Sequence, residues 1–188
     1  MPKLLIRETL ASDLEQIQAF TDKQIGQGYY KTTELKDILL RSCKDDVNCS
    51  FLLMDDDQIA GIRLSFPPGQ WSKGKGQGLT PNLWPHPLEQ TAYFQSLFID
   101  PQYQGKGWGR QLSERSLEKL IQLGSRGVLC HSWKESPDNT SSQYLKSIGF
   151  RSIAQHPHYW SSVPYQCTRC AGTCECTALE MYLDLASC

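Results

Sequence analysis

With 188 residues, 39% of them hydrophobic, the chain can bury one sizeable core. A formal net charge of −1 excludes a broadly basic nucleic-acid surface, and no apolar run approaches the roughly 20 residues of a membrane-spanning helix. The opening stretch from Met1 to Glu8 is too poor in apolar residues for an export signal, so a cytoplasmic protein with reduced thiols is expected despite eight cysteines.

Residues 3–8 read as a first strand. Ser12 is placed to cap a helix, with Glu15 three residues on completing a capping box and Leu14, Ile17, Phe20 and Ile25 forming its apolar face. Thr33 starts a second helix carrying Leu35, Ile38, Leu39 and Leu40. Residues 50–54 and 59–66 are two strands joined by Asp55-Asp56-Asp57-Gln58. Consecutive carboxylates on that turn alternate in direction, which suits a solvated turn better than a metal. Residues 67–90 form a long polar insertion with Gly69, Gly74, Gly76 and Gly78 among Lys73 and Lys75. No strand-to-helix context surrounds these glycines, so the insertion reads as a mobile surface loop rather than a phosphate loop. Trp71 and Trp84 either anchor it or fold over a cleft.

Next comes an apolar strand from Phe94 to Ile99, a turn, and Gln104-Gly105-Lys106-Gly107-Trp108-Gly109 at the entry to a helix with Leu112, Leu117, Leu120 and Ile121. A helix start offers unpaired N–H groups and a partial positive charge, a natural seat for phosphate. The glycines alternate, which does not fit a dinucleotide fingerprint, and no Lys-Ser or Lys-Thr pair closes a Walker loop. Amides converging in a tight turn instead suit a pyrophosphate. Residues 127–133 form a further strand. Pro137-Asp138-Asn139 opens a helix that stops at Gly149, and residues 150–155 and 178–185 are the last strands.

The run Gln104-Gly105-Lys106-Gly107-Trp108-Gly109 resembles the signature Gln/Arg-x-x-Gly-x-Gly/Ala of the GCN5-related N-acetyltransferases, and the order β-α-α-β-β-β-α-β-α-β-β is similar to theirs. The resemblance spans nearly the whole chain. It implies a single α/β domain over residues 1–188, with a mixed sheet of about seven strands, splayed between the fourth and fifth, and about four flanking helices. It also implies that acetyl-coenzyme A is the cosubstrate. Gln104, Gly105, Lys106, Gly107, Trp108, Gly109 and Arg110 would hold its pyrophosphate. Backbone groups of Leu97, Phe98 and Ile99 would pair with the pantetheine arm and the acetyl oxygen, and Asn139 would contact pantetheine. The acceptor is then a small-molecule or peptide amine, attacked by direct transfer without an acyl-Cys130 intermediate, and a homodimer is compatible with the resemblance. The alternative is a noncatalytic acyl-coenzyme A-binding module.

In that family a tyrosine four residues before the Gly-Phe that ends the last helix protonates the thiolate. Here Leu145 stands there and Tyr144 one residue earlier, a rotation of roughly 100° about the helix. Tyr144 is the candidate acid, with a half-buried packing role as its rival. His131 on the splayed strand and Glu135 and Glu89 flanking the cleft are candidate proton acceptors.

Cys167, Cys170, Cys174 and Cys176 form Cys-x-x-Cys and Cys-x-Cys pairs in a cysteine-rich hairpin at residues 161–177, with Gly172 easing the turn between them. Four thiolates at this spacing suit a structural zinc with no open position. Disulfides, free thiols and, less naturally, an iron-sulfur cluster are the alternatives. His156 and His158 lie near enough in sequence to substitute as ligands.

Overall fold

A computed structural model describes residues 4–167, 169–170 and 172–185. The expected first-strand residue Lys3 and the hairpin residues Thr168 and Ala171 lie outside this set. The seven-stranded sheet contains β1 (Leu4–Glu8), β2 (Phe51–Asp55), β3 (Gln58–Phe66), β4 (Thr91–Ile99), β5 (Gly127–Trp133), β6 (Arg151–His156) and β7 (Ala178–Asp184). They stand in the order β1-β2-β3-β4-β5-β7-β6. Every neighbouring pair is antiparallel except β4 with β5. A two-stranded hairpin of Cys43–Lys44 with Val47–Asn48 stands apart.

Four α-helices cover the sheet: α1 (Leu14–Gln24), α2 (Thr32–Arg41), α3 (Trp108–Gln122) and α4 (Thr140–Ser147). The side-chain alternation of the strands divides the core. Ile17 and Phe20 of α1 and Leu35 and Ile38 of α2 pack with Ile62, Leu64, Phe66, Tyr93 and Leu129 on one face. Leu120 of α3 and Leu145 of α4 pack with Phe94, Val128 and Cys130 on the other.

Two local expectations are corrected. Ser12 does not cap α1. A 3-10 turn over Ala11–Asp13 precedes the helix, and the Asp13 carboxylate accepts the Leu10 N–H at 2.7 Å while binding both Arg7 Nη atoms at 2.7 and 2.8 Å. A carboxylate has acceptor sites for the open N–H and both guanidinium nitrogens at once, three bonds where a serine hydroxyl offers two lone pairs. The insertion at 67–90 is not a free surface loop. Trp71 is buried and donates its indole N–H to Thr91 O at 2.7 Å. Trp84 donates to Glu180 Oε1 at 2.6 Å, and the two indoles meet at 5.8 Å. Both tryptophans therefore anchor the insertion on the α1/α2 face.

Candidate active site

β4 and β5 run side by side only from Thr91 opposite Gly127 to Phe94 opposite Cys130. Beyond that point β4 stays with β3 as far as Ile99, and β5 stays with β7 as far as Trp133. Among the described residues, the edge of β4 from Gln95 to Ile99 is thus left without a strand partner on the β5 side. The cause is a bulge. Ser65 opposes Phe94 and Leu64 opposes Ser96, so Gln95 is an extra residue. A bulge bends its strand and breaks the alternation of faces. Both Gln95 Nε2 and Ser96 Oγ accordingly reach the Tyr30 hydroxyl, at 3.1 and 2.6 Å. The predicted pantetheine contacts Leu97, Phe98 and Ile99 all lie on the freed edge.

The glycine turn follows directly. Asp100 caps a 3-10 turn over Pro101–Tyr103 and is tied to α1 by Lys23 and Gln24, each at 3.1 Å. Gln104 Nε2 donates to Ile99 O at 2.8 Å and Lys106 Nζ to Gln102 O at 2.9 Å, which fixes the loop by its own side chains. Gly105 and Gly107 adopt left-handed φ values of 72° and 82°, and a β-carbon on either would meet nothing within 4 Å among the described residues. Their backbone therefore borders open space, next to the first turn of α3, whose N–H groups have no intrahelical acceptor. Gly109 faces inward instead: its β-carbon would lie 3.4 Å from Leu97 Cδ2, so it seats α3 on β4. Trp108 packs beside Leu112, Phe51 and Leu53. Arg110 pairs with Glu114 at 2.8 Å on the surface. Asn139 has a left-handed φ of 53° and ends the 3-10 turn before α4, its N–H bonded to Ser136 O at 2.9 Å.

Tyr144 spans from α4 to α3. Its hydroxyl lies 2.6 Å from Ser113 Oγ and 3.1 Å from Gly109 O. The Arg63 guanidinium is buried beside the same serine, with Nε at 3.2 Å and Nη2 at 2.8 Å, and lies 4.0 Å over the Phe94 ring. Phe94 is the last β4 residue paired with β5, so this group stands at the mouth of the gap on the α3/α4 face.

On the opposite face, His131 is the first β5 residue past the pairing. Gly78 O accepts from its Nε2 at 3.0 Å, which leaves Nδ1 to accept the Tyr93 hydroxyl at 2.8 Å. Burial lowers the His131 pKa to about 4, so the imidazole is neutral near pH 7. His156 Nε2 bonds Glu180 at 2.5 Å, and Tyr159 stacks on His131 at 4.3 Å. The Tyr159 hydroxyl is buried with no hydrogen-bond partner among the described residues. His131, His156 and Glu180 could reach a common metal. However, Thr80 N–H, Trp84 and His156 already occupy Glu180, and Gly78 occupies His131.

Gln95 is also part of the floor of a cavity of ≈ 430 Å³ on the α1/α2 face, walled by Glu34, Arg41, Phe66, Lys73 and Val163. Glu89 is not at this cleft. It belongs to the turn Leu88–Gln90 before β4, at the closed end of the β4/β5 pairing. Both Glu135 carboxylate oxygens accept the Thr177 N–H, at 3.1 and 2.9 Å, and its carbonyl takes Arg169 at 3.4 Å. Burial lifts the Cys130 thiol to about 12, which keeps it inert.

The sulfurs of Cys167, Cys170, Cys174 and Cys176 all lie within 4.8 Å of one another, and Cys170 Sγ is 3.8 Å from Cys176 Sγ. A tetrahedral zinc with bonds of about 2.3 Å spaces its sulfurs at about 3.8 Å, whereas a disulfide needs about 2.05 Å. Burial raises the Cys167 thiol, but the N–H groups of Arg169 and Cys170 and the Tyr165 hydroxyl outweigh it and bring it to about 7. Burial raises the Cys174 and Cys176 thiols, an effect opposed but not overcome by Tyr165, which donates to Cys174 Sγ at 3.3 Å, and by the Trp133 indole beside Cys176. Such donors stabilise sulfur anions. His156 is engaged with Glu180 and does not join them.

A family model described as Acetyltransferase (GNAT) family matches residues 13–150. Among solved structures, the ribosomal-protein-S18-alanine N-acetyltransferase from Escherichia coli is 14% identical with a TM-score of 0.64, over 97% of this chain and 94% of that one. The NatC complex bound to Gag peptide and CoA is 13% identical with a TM-score of 0.68, over 97% and 99%. The protein yncA from Salmonella typhimurium, solved with its cofactor acetyl-CoA, is 16% identical with a TM-score of 0.67, over 97% and 94%. At these identities the likeness is one of fold. A search of curated proteins finds no match.

Proposed function

Because the chain belongs to the GNAT acetyltransferase family, we propose that this acyltransferase moves the acetyl group of acetyl-coenzyme A directly onto a primary amine of a small-molecule or peptide acceptor. The observation that carries this reading is the coincidence of two features: an unpaired β4 edge from Gln95 to Ile99, and an open glycine turn at residues 104–109 immediately after it. Amides of residues 105–110 would face the pyrophosphate. The freed edge would pair with pantetheine, and the Leu97 or Phe98 N–H would bond the acetyl oxygen, where charge grows as the amine attacks. Asn139 would approach pantetheine from the start of α4.

The amine enters through the cavity floored by Gln95. It attacks as the free base after losing a proton to solvent in the cavity, because the buried His131, its pKa lowered to about 4, is a poor acceptor near pH 7. The new C–N bond forms, the C–S bond breaks, and Tyr144 protonates the departing thiolate. Glu135 is the third candidate; its carboxylate accepts the Thr177 N–H, which supports a role in holding the hairpin. The four cysteines would hold a structural zinc, with no coordination site left for chemistry.

The direct test combines calorimetry with acetyl-coenzyme A and coenzyme A release over a panel of amines and peptides. Binding with turnover on at least one amine is expected; a protein that does not bind acetyl-coenzyme A refutes the reading. Gly107→Val should weaken acetyl-coenzyme A binding by tenfold or more with an unchanged circular dichroism spectrum. A β-branched residue resists φ of 82°, and its side chain would fill the space the pyrophosphate needs.

A further inference from the structure

We propose that the acceptor is an amine that also carries a carboxylate, held by Arg41 and Lys73 at the rim of the Gln95 cavity while its nitrogen reaches the strand gap. The inference rests on the transferase reading and names the substrate class of that same site. The chain as a whole has a formal charge of −1. The wall of this ≈ 430 Å³ cavity nevertheless holds Arg41, Lys73 and Lys75 against one carboxylate, Glu34. That carboxylate is already taken. Lys75 Nζ lies 2.6 Å from both of its oxygens and 4.8 Å over the Tyr30 ring, with 10% of the Lys75 side chain exposed. The pair ties the insertion to α2 and leaves Arg41 and Lys73 to meet a ligand.

Arg41 has donors to spare. A guanidinium carries five N–H groups and no acceptor. Nε and Nη2 of Arg41 each lie 2.7 Å from Asp37 Oδ2, one turn back on α2, and Nη1 donates to Gln70 O at 3.2 Å. One hydrogen on Nη1 and one on Nη2 are left over, enough for a carboxylate to accept two bonds. The Asp37 side chain is 59% exposed, so water screens its half of the ion pair. No ion pair among the described residues includes Lys73. Its backbone is nonetheless fixed from both sides. Trp71 is buried just before it. Gly74 just after it runs so close to the sheet that a β-carbon there would sit 2.1 Å from the Tyr159 hydroxyl and 2.4 Å from that of Tyr93.

The spacing suits one small molecule. Phe66 opposes Tyr93 in the β3/β4 register, which makes Gln95 its diagonal neighbour at about 7–8 Å. Gln95 is also the first residue past the β4/β5 pairing. The Arg41 guanidinium lies 4.5 Å over the Phe66 ring. An amine at the gap and a carboxylate at Arg41 are therefore only a few bonds apart, with Phe66 and Val163 offering apolar contact between them. Such a wall repels a polyamine, whose remaining charges are positive, and favours an acceptor whose far end is negative. Free amino acids and peptides with an acidic side chain near the N-terminus share this chemistry.

The test compares matched acceptors. Coenzyme A release is measured for amino acids and their carboxamides, for peptides with Asp or Glu in second place and their Asn or Gln counterparts, and for spermidine. In at least one pair the carboxylate member should have a kcat/KM tenfold or more above its neutral twin, mostly through KM, and rising salt should shrink the excess. Lys73→Glu, at an exposed side chain, should cut that ratio tenfold or more. Arg41→Gln should do the same, and where it fails to fold, the lysine variant decides. Comparing the ratio across variants removes differences in amine basicity within a pair. A preference among free amino acids identifies a small molecule and one confined to peptides identifies a chain terminus; either supports the proposal. Equal kcat/KM within every pair, faster turnover of spermidine than of any carboxylate, or a parental ratio in Lys73→Glu overturns it. A protein that binds no acetyl-coenzyme A, or turns over no amine of the panel, overturns the transferase reading itself, and the proposal falls with it.

Discussion

Glu180→Ala is expected to lower folding stability by about 3 kcal/mol or more, because each buried donor left without its acceptor costs about 1–3 kcal/mol. The carboxylate is fully buried on β7. It accepts the Thr80 N–H at 3.1 Å, the Trp84 indole at 2.6 Å and His156 at 2.5 Å. Two of these donors belong to the insertion, so the change also frees residues 74–84 from the sheet. Urea unfolding measures the loss; a change under about 0.5 kcal/mol, the size of an ordinary surface substitution, would remove Glu180 as the clamp.

The same cluster sets an acid limit. His131 has a folded pKa of about 4 against an ordinary 6.5, chiefly through burial. Between these values the unfolded chain binds a proton that the folded one does not. Its contribution is complete above pH 6.5 and is lost as the pH falls towards 4, on the order of 3 kcal/mol for a shift of this size. Burial also pushes Glu180 upward, but bonds from His156, Trp84 and Thr80 outweigh it and hold its carboxyl below the usual 4.5. That share is present above pH 4.5 and disappears as the folded carboxyl is protonated. Thermal midpoints should therefore drop steadily from pH 6.5 to 4.5, and His131→Gln should flatten the drop.

Protein purified without added zinc is expected to carry one zinc per chain, and Cys174→Ser to lose it along with the order of the hairpin. Structural zinc in small modules contributes on the order of 10 kcal/mol of apparent binding energy at neutral pH, so the change is large. Its direction is specific. Tyr165 links Cys174 to Tyr29 through an edge-on ring contact at 4.9 Å, and Gln166 N–H bonds Gln27 O at 3.2 Å. The cysteines therefore support the α1/α2 side, where the cavity proposed for the acceptor lies, and not the glycine turn. Zinc removal should raise the acceptor KM by tenfold or more while acetyl-coenzyme A affinity stays within twofold of the parent. Equal loss of both would show that the ion merely holds the whole fold.

The strands, the helices and the glycine turn were legible because each writes a local pattern. Apolar spacing marks Leu35 and Ile38, and glycines mark the turn at 105–109. The bulge at Gln95 was not, since it arises from register against β3 and leaves no mark in composition. The Arg63–Ser113–Tyr144 network was equally hidden, as its members come from three elements brought together only by packing. Glu135 reads as a cleft residue because it follows β5 closely, while its bond to the Thr177 N–H at the exit of the hairpin is set by packing and has no mark in the sequence. Glycines in the insertion suggested mobility, whereas their lack of side chains serves close approach.

That close approach is one-sided. A β-carbon on Gly74 would sit 2.1 Å from the Tyr159 hydroxyl oxygen, one on Gly76 2.0 Å from Tyr159 O, and one on Gly78 2.5 Å from His156. Every second residue of this ribbon is thus fixed by what lies beneath it. Lys73, Lys75 and Gln77 occupy the intervening places, and Lys73 and Lys75 border the cavity. Evolution, or a combinatorial library at these three codons, can exchange the lining of the cavity proposed for the amine while the aromatic layer below stays as it is, which makes the ribbon a ready place for related chains to diverge in taste.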